Sequence, residues 1–214
     1  MNSTTPRWRR RLASGTALAA LGLAASMTAL PAHAGDKPFR FEMVRSPSLN
    51  ATPNCAAHAH GTVSIEPLGP VEEMHVNFEG LPPNTGFDFF VIQHPNGPSF
   101  GMAWYQGDIE SNSKGEAHGK FVGRFNEETF IVGQGSVPAP SIHHNAFPDA
   151  TSNPATGPIH TFHLGLWFNS SQDATKAGCS GNTTPFNGEH NAGVQVLNTS
   201  NFPDLEGPLL QVKP

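Results

Sequence analysis

The sequence predicts an all-β domain of antiparallel strands, with long Pro/Gly-rich loops and one short helix. The chain has 214 residues, of which 22 are Gly and 20 are Pro, so turns must be frequent. Fifteen Phe supply the aromatic area that disordered segments lack. Apolar and polar residues alternate over several short stretches, which is the period of a half-buried strand. Strands and amphipathic helices do not alternate along the chain, so a parallel α/β sheet is not expected.

The first 34 residues have the pattern of a secretory signal peptide. Four Arg between positions 7 and 11 precede an apolar run at 17–30, and small residues end the segment at Ala34. We predict cleavage before Gly35 and a single domain over residues 35–214. The arginines faintly resemble a twin-arginine signal, so that route and the ordinary secretory route both stay open. The apolar run is shorter than the about 20 residues of a membrane helix, so no membrane span is expected.

Charge excludes two classes of partner. The whole chain has 12 Lys and Arg and 17 Asp and Glu, and residues 1–34 contain four of the Arg and none of the acids. The exported chain would therefore have a net charge of −9 with His neutral. Nucleic acid and anionic lipid are polyanions whose binding requires Lys and Arg, so neither is an expected partner.

Each strand is predicted from alternation, or from β-forming residues between turn signals. In chain order the predicted strands are 58–65, 74–79, 87–93, 107–110, 119–125, 130–132, 159–168 and 193–197. The segment 80–85 contains two adjacent Pro and Asn84, which force a turn, and 111–115 predicts a hairpin turn. Residues 171–177 have a hydroxyl cap and precede Gly178, so they predict the helix.

Residues 76–91, VNFEGLPPNTGFDFFV, resemble the strand, turn and strand of many immunoglobulin-like and fibronectin-type sandwiches. The chain as a whole is similar to uncharacterised exported bacterial β-sandwich proteins. The resemblance implies an antiparallel immunoglobulin-like β-sandwich and an extracellular address. It implies no activity.

The chain has two cysteines, Cys55 and Cys179. Exported proteins meet an oxidising compartment, so we predict a disulfide between them. The alternative is a pair of free thiols, one of which could be a metal ligand.

Histidines raise the question of a metal site. Strand alternation directs His58 and His60 away from the apolar side of their strand, and it directs His75 away from Met74 and Val76. By the same argument His163 lies on the side of Trp167. If their strands are neighbours, these four His would share one open face, where imidazole can bind Zn²⁺ or Cu²⁺. The alternative is that they are ordinary polar residues of exposed strand faces and that the protein holds no cofactor.

Two enzyme patterns are present in weak form. Residues 97–101 match the G-x-S-x-G elbow around Ser99, but no helix follows, so we interpret the segment as an ordinary turn. Carboxylates on strands and turns could supply the acid and base of a polysaccharide-active hydrolase or lyase, depending on their separation. These are Asp88, Asp108, Glu110, Glu127 and Glu128.

Three aromatic residues suggest a recognition surface. Trp104 and Tyr105 are adjacent on a strand, so one of them should face the core, and Trp167 is expected to face outward beside His163. Exposed rings stack on sugar faces and provide contact area at little cost in entropy. Our leading interpretation is a secreted, non-catalytic protein, monomeric or weakly associating, that binds an extracellular glycan or protein through these rings. The alternatives are the His-based Zn or Cu protein and the hydrolase or lyase.

Overall fold

The computed structural model describes residues 38–96, 100–101, 103–128, 159–185 and 191–212, and it is all-β with one short helix. The predicted signal peptide, the predicted strand 130–132 and most of the loop before residue 159 lie outside the described residues. The side chains of residues 127, 128 and 159 are also outside the description. The elements are β1 Phe39–Arg45, β2 His60–Leu68, β3 Val71–Glu79, β4 Gly86–Ile92, β5 Ala103–Glu110, β6 Ala117–Gly123, β7 Glu127–Glu128, β8 Ile159–His160, β9 His163–Phe168, α1 Ser171–Lys176 and β10 Gln195–Asn198.

Eight of these strands form one antiparallel sheet in the order β5-β4-β9-β10-β1-β2-β3-β6, and β7 pairs with β8. Strand β1 joins the two halves of the large sheet. Its residues 39–43 pair with β2, whereas Val44 and Arg45 pair with β10. We call β1, β2, β3 and β6 half A, and β4, β5, β9 and β10 half B.

The sheet is barrel-like because its two end strands approach each other. A Cβ atom added to Gly107 of β5 would lie 3.0 Å from the ring of Phe121 on β6. A Cβ atom on Gly119 of β6 would lie 2.6 Å from Ile109 on β5. The prediction of antiparallel all-β structure is confirmed, and the immunoglobulin-like topology stays a prediction.

The predicted turn at 80–85 and the predicted hairpin turn at 111–115 both connect the two halves. Residues 80–85 lead from β3 to β4, and residues 111–116 lead from β5 to β6, but neither pair of strands is hydrogen-bonded. The two connections bond to each other: Leu81 N–H donates to Gly115 O at 3.0 Å, and Ser111 Oγ donates to Pro82 O at 2.6 Å. Local turn chemistry predicted that the chain turns here. The pairing of the flanking strands depends on distant residues.

The core lies between the halves and is filled by large apolar side chains. Among the fully buried rings are Phe78, Phe87, Phe89, Phe125 and Phe168. Burying a ring of this size stabilises a fold by about 1.5–3 kcal/mol. The many Phe therefore supply the buried apolar area that offsets the entropy lost when a chain rich in turns is ordered.

The helix forms as predicted. Ser170 caps it, with Oγ accepting the N–H of Asp173 at 3.1 Å, and Gly178 follows with a φ of +71°. The predicted strand 159–168 is divided into β8 and β9. Thr161 lies between the two strands, and its hydroxyl Oγ1 donates a hydrogen bond to the carbonyl oxygen of Phe125 at 2.7 Å.

The predicted disulfide is present. Cys55 and Cys179 are bonded, with Cα atoms 4.9 Å apart and a sequence separation of 124. The bond joins the segment before β2 to the residue that follows the helix turn. Arg45 reinforces the same region, because its guanidinium donates to the carbonyls of Leu49, Thr52 and Cys55 at 2.8–3.0 Å. The alternative of free thiols is excluded, since no free cysteine remains.

Within the described ranges, none of the helices has the length and apolar character needed to cross a membrane.

We predict that replacing both cysteines, C55A/C179A, lowers the free energy of unfolding by about 4–5 kcal/mol, because the bond closes a loop of more than 100 residues. Guanidinium chloride unfolding at pH 7 measures this value. Reducing the parent protein with a thiol should cause the same loss. A loss below about 1 kcal/mol in both experiments would contradict the prediction.

Candidate functional site

The four histidines of the predicted metal site do not converge. His58 and His60 are both exposed, but the predicted strand begins only at His60, so His58 lies in the turn before β2. His60 lies opposite Glu79, with its Nε2 3.6 Å from a carboxylate oxygen. His75 lies outward on β3, and its Nε2 is bonded to Glu73 at 2.7 Å. No group of three His, Cys, Asp or Glu able to hold a metal ion occurs among the described residues.

His163 does not lie on the same face as the other three predicted metal ligands. It begins β9, which is paired with β4 and β10 in half B, whereas His60 and His75 belong to half A and His58 lies in the turn before β2. The prediction that His163 shares their open face is therefore wrong. Its side chain is fully buried. Alternation predicted its side of the strand correctly, but other segments cover that side.

The outer side of half B contains a group of four rings, Phe90, Phe100, Tyr105 and Trp167, which we call the aromatic face. Phe90 contacts Tyr105 and Trp167, with ring centroids 5.5 and 5.3 Å apart. Phe100 meets Trp167 edge-on at 4.9 Å. Gly165 makes room for this arrangement, since a Cβ atom there would collide with the Trp167 indole. The rings form a small apolar layer outside the main core.

The three aromatic residues predicted to form a recognition surface differ in their exposure to solvent. Trp104 packs against the main core, and Tyr105 is 43% exposed, which confirms that one of the two faces inward. The prediction that Trp167 faces solvent is wrong, because only 3% of it is exposed. Strand β9 is central in half B, so Phe90 of the neighbouring strand and Phe100 cover the indole.

A β-bulge directs Tyr105 and Asp108 to the same side. Phe89 pairs with Gly107 and Phe90 with Tyr105, so Gln106 is an extra residue in β5. Residues three apart on a regular strand lie on opposite faces, and one inserted residue reverses that relation. Gly107 has a φ of +155° at the bulge, a conformation that favours glycine. The Tyr105 hydroxyl consequently reaches Asp108 and donates to its Oδ1 at 2.5 Å.

Polar side chains form a row across the same face. Asp108 pairs with Asp88, Asp88 pairs with Trp167, and Trp167 pairs with Gln195, so the row crosses all four strands of half B. Asp88 is 1% exposed, whereas Asp108 is exposed. Burial, the hydrogen bond to Asp108 and the charges of both aspartates raise the pKa of Tyr105. The phenol therefore stays neutral and keeps its proton for hydrogen bonding.

Two buried donors in this row have no hydrogen-bond partner. They are Trp167 Nε1 and Gln195 Nε2. The other end of the Gln195 amide is well bonded, since its Oε1 accepts from Ser46 Oγ at 2.7 Å and from Asn198 Nδ2 at 2.9 Å. Unsatisfied buried donors are uncommon and costly in native proteins. Their position beside the aromatic face therefore marks it as a candidate binding site.

A second polar cluster lies around His163 at one end of half B. Its Nδ1 is 2.8 Å from Thr199 Oγ1, while Nε2 is buried without a hydrogen-bond partner. Nearby, His94 Nδ1 lies 2.7 Å from Asp204 Oδ1. Burial lowers the pKa of His163 to about 4, although the Asp204 charge acts in the opposite direction. His163 is therefore neutral at physiological pH and holds the chain near Thr199 to β9.

The remaining candidate residues do not form a site. Ser99 lies outside the described residues, as do the side chains of Glu127 and Glu128. Glu110 is exposed at the end of β5, on the same side as Asp108. A carboxyl that sequence reasoning did not single out, Glu72, is buried on the core side of β3. It accepts the N–H of Phe125 at 3.0 Å, and burial raises its pKa.

The aromatic face was only partly visible in the sequence. Phe90 appeared only as part of a strand dense in β-formers, and Asp88 and Asp108 only as two of five acids. Gly107 was the sequence signal for the bulge beside Tyr105, because glycine inside a strand often marks a bulge.

Comparison with protein-family models found no match to this chain, and comparison with curated proteins found no related sequence.

We predict that His163 makes the protein acid-sensitive. Its pKa is about 4 in the folded protein and about 6.5 when unfolded, so between these values the unfolded chain binds a proton that the folded chain does not. Stability should therefore fall as pH decreases from about 7 to 4, and this contribution should stay constant below about pH 4. The shift corresponds to a loss of about 3 kcal/mol.

Denaturant unfolding at several pH values measures the effect, with His163→Asn as the comparison, since Asn can still bond to Thr199 but does not titrate. The parent should lose about 3 kcal/mol more than the variant between pH 7 and pH 4. Parallel stability curves for the two proteins would show that His163 is not responsible.

Proposed function

We propose that the protein is an exported, non-catalytic carbohydrate-binding protein, and that a saccharide binds on the aromatic face. The observation that carries this proposal is the exposed ring of Tyr105, which is bonded to Asp108 and packs against Phe90, and Phe90 in turn contacts Trp167. Export and a monomeric state are part of the proposal. The predicted signal peptide and the disulfide support export.

The ring chemistry supports a sugar ligand. Saccharides present apolar C–H faces that pack on aromatic rings, and a large ring with two torsions loses little entropy on binding. Because the Tyr105 hydroxyl is bonded to Asp108 and its ring contacts Phe90, much of its side-chain freedom is already lost in the free protein. A preorganised contact of this kind lowers the cost of association.

The hydrogen-bonding groups beside the ring also suit a saccharide. Asp108 Oδ1 accepts from Tyr105, and a carboxylate has further lone pairs to accept from ligand hydroxyls. The hydroxyl groups of a polyol can donate to these lone pairs of Asp108.

A polysaccharide hydrolase is the second candidate function, favoured by one observation. Asp88 and Asp108 are directly opposite on neighbouring strands, where Cβ atoms lie about 4.5–5.5 Å apart. Retaining glycosidases use carboxyl groups about 5–5.5 Å apart. We favour binding over hydrolysis because both carboxylate oxygens of Asp88 are covered from solvent. Release of reducing sugar from a bound polysaccharide would favour the hydrolase.

We predict that Tyr105→Ala weakens binding to the best ligand of a glycan array at least tenfold, which is about 1.4 kcal/mol, because the sugar loses its stacking surface. Isothermal titration with that glycan measures the change. Tyr105→Phe should keep most of the stacking and lose only the link to Asp108.

Val122→Ala is the matched control. Val122 is 56% exposed on the outer side of half A, so its loss removes exposed apolar area away from the aromatic face. Equal binding by the parent and Tyr105→Ala, or no binding to any glycan on the array, would reject the proposed function.

A further inference from the structure

The chain after β10 lies as an irregular segment across one end of half B. We call this segment, residues 199–212, the strap. It contains a short 3₁₀ turn, Pro208–Gln211, and it pairs with none of the described strands. Half of its residues are exposed. Segments with few buried contacts and no sheet hydrogen bonds are the first to open locally.

His163 anchors the strap to β9. Its Nδ1 lies 2.8 Å from Thr199 Oγ1, and the same hydroxyl oxygen accepts the N–H of Leu164 at 3.2 Å. The strap returns to the imidazole at Gly207, where a Cβ atom would lie 2.7 Å from His163 Cε1 and still closer to Phe162 O. The strap therefore contacts His163 at both Thr199 and Gly207.

The strap covers apolar surface and part of a strand edge. Leu209 is buried in the core, and the ring of Phe202 meets Phe41 of β1 edge-on, with centroids 6.2 Å apart. Asn201 Nδ2 donates to the carbonyl of Glu42, also in β1, at 3.3 Å. Release of the strap would therefore uncover the Phe41 ring, the position filled by Leu209 and a carbonyl of β1.

One residue of the strap has a strained backbone. Leu205 has a φ of +62°, in the left-handed region that residues with a side chain seldom adopt, and it is 51% exposed. Its neighbour Asp204 is fixed to the loop after β4, because Asp204 Oδ1 lies 2.7 Å from His94 Nδ1. The surrounding contacts hold this strain in place, and release of the strap would relax it.

A proton on His163 opposes the closed position of the strap. Burial lowers the pKa of His163 to about 4, and it outweighs the opposite effects of the Asp204 charge and of the Thr199 and Pro203 carbonyls. The charge of His94 acts in the same direction as burial. Asp204 and His94 are the charged groups that act on this imidazole among the described residues. When the strap leaves, water reaches the ring and its pKa returns to about 6.5, so at pH 5 the released form binds a proton that the closed form lacks.

We propose that the strap is an acid-released cover: neutral His163 holds it closed at pH 7, and protonation of that imidazole in acid shifts residues 199–212 to a released form while the sheet stays folded. The strand pairing of the sheet and the Cys55–Cys179 bond include no residue of the strap, so both survive its release. The protein would then present, in acid, the apolar surface around Phe41 that the strap covers at neutral pH. This inference is independent of the proposed function, because the aromatic face includes no strap residue.

Amide hydrogen exchange, followed by NMR at pH 7 and pH 5 and corrected for intrinsic exchange rates, tests the inference. The reporters are the N–H groups of Leu209, which donates to Phe162 O, and Leu164, which donates to Thr199 Oγ1. Their opening equilibrium should rise about twentyfold from pH 7 to pH 5, as linkage requires for the two pKa values of His163. It should also exceed that of the amides in β2 and β3 at least tenfold at both pH values, because the strap opens locally.

Three variants and one dye complete the test. His163→Asn and His163→Gln remove the titrating group, so the rise between pH 7 and pH 5 should shrink to less than about twofold. Gly207→Ala leaves every titratable group in place, but its methyl group would collide with Phe162 O and the imidazole. Its strap should be open already at pH 7, where it should bind ANS, a dye that reports exposed apolar surface. The parent should bind ANS more strongly at pH 5 than at pH 7.

His60→Asn is the matched control, because His60 is exposed in half A beside Glu79 and does not contact the strap. It should keep the twentyfold rise. Three results would overturn the inference. The first is a rise of less than about threefold in the parent, or an equal rise in His163→Asn. The second is an equal opening equilibrium for the strap and for β2 and β3 at pH 5, which would mean that acid unfolds the whole domain. The third is a closed strap with the parent's pH dependence in Gly207→Ala.

Discussion

Strand β1 holds the fold together by hydrogen-bonding along both of its edges. Its first part pairs with β2 and its last two residues pair with β10, so half A and half B belong to one sheet. The side chain of Arg45 then binds three carbonyls of the following loop, and the disulfide at Cys55 ties that loop to the helix turn. The covalent bond therefore reinforces the region in which the chain passes from one half to the other. The position of half B, and with it the aromatic face, depends on this junction.

The aromatic face combines a rigid base with an exposed contact. Phe90 and Trp167 are buried and pack against each other, while Tyr105 lies partly in solvent and is oriented by Asp108. The four strands of half B contain no Lys or Arg. This arrangement costs folding energy, because buried donors and adjacent aspartates destabilise a sheet. Local violations of packing rules of this kind are expected where a protein keeps a functional site.

The sequence determined the local features of this protein. The sequence identified β2, β3 and β6 of half A but not β1, and alternation gave the outward direction of His60 and His75, because side-chain direction follows from backbone period. Turn residues located both connections, and the capping hydroxyl with Gly178 located the helix. Two cysteines in a chain with a predicted export signal were sufficient to predict the disulfide. Trp104 and Tyr105 had to face opposite sides, and this was also clear from their adjacency.

The tertiary structure decided what depends on contacts between distant segments. Alternation assigns a side chain to a face of a strand but does not show what covers that face, so the burial of His163 and Trp167 could not be predicted. Strand order is a non-local property, and for this reason the hairpin expected at 111–115 proved to be a connection between the halves. The bulge that brings Tyr105 to Asp108 exists only in the pairing of β5 with β4. The sequence alone thus determined which residues could form a site, and only the packing of half B decided which of them meet, because long-range contacts set both register and exposure.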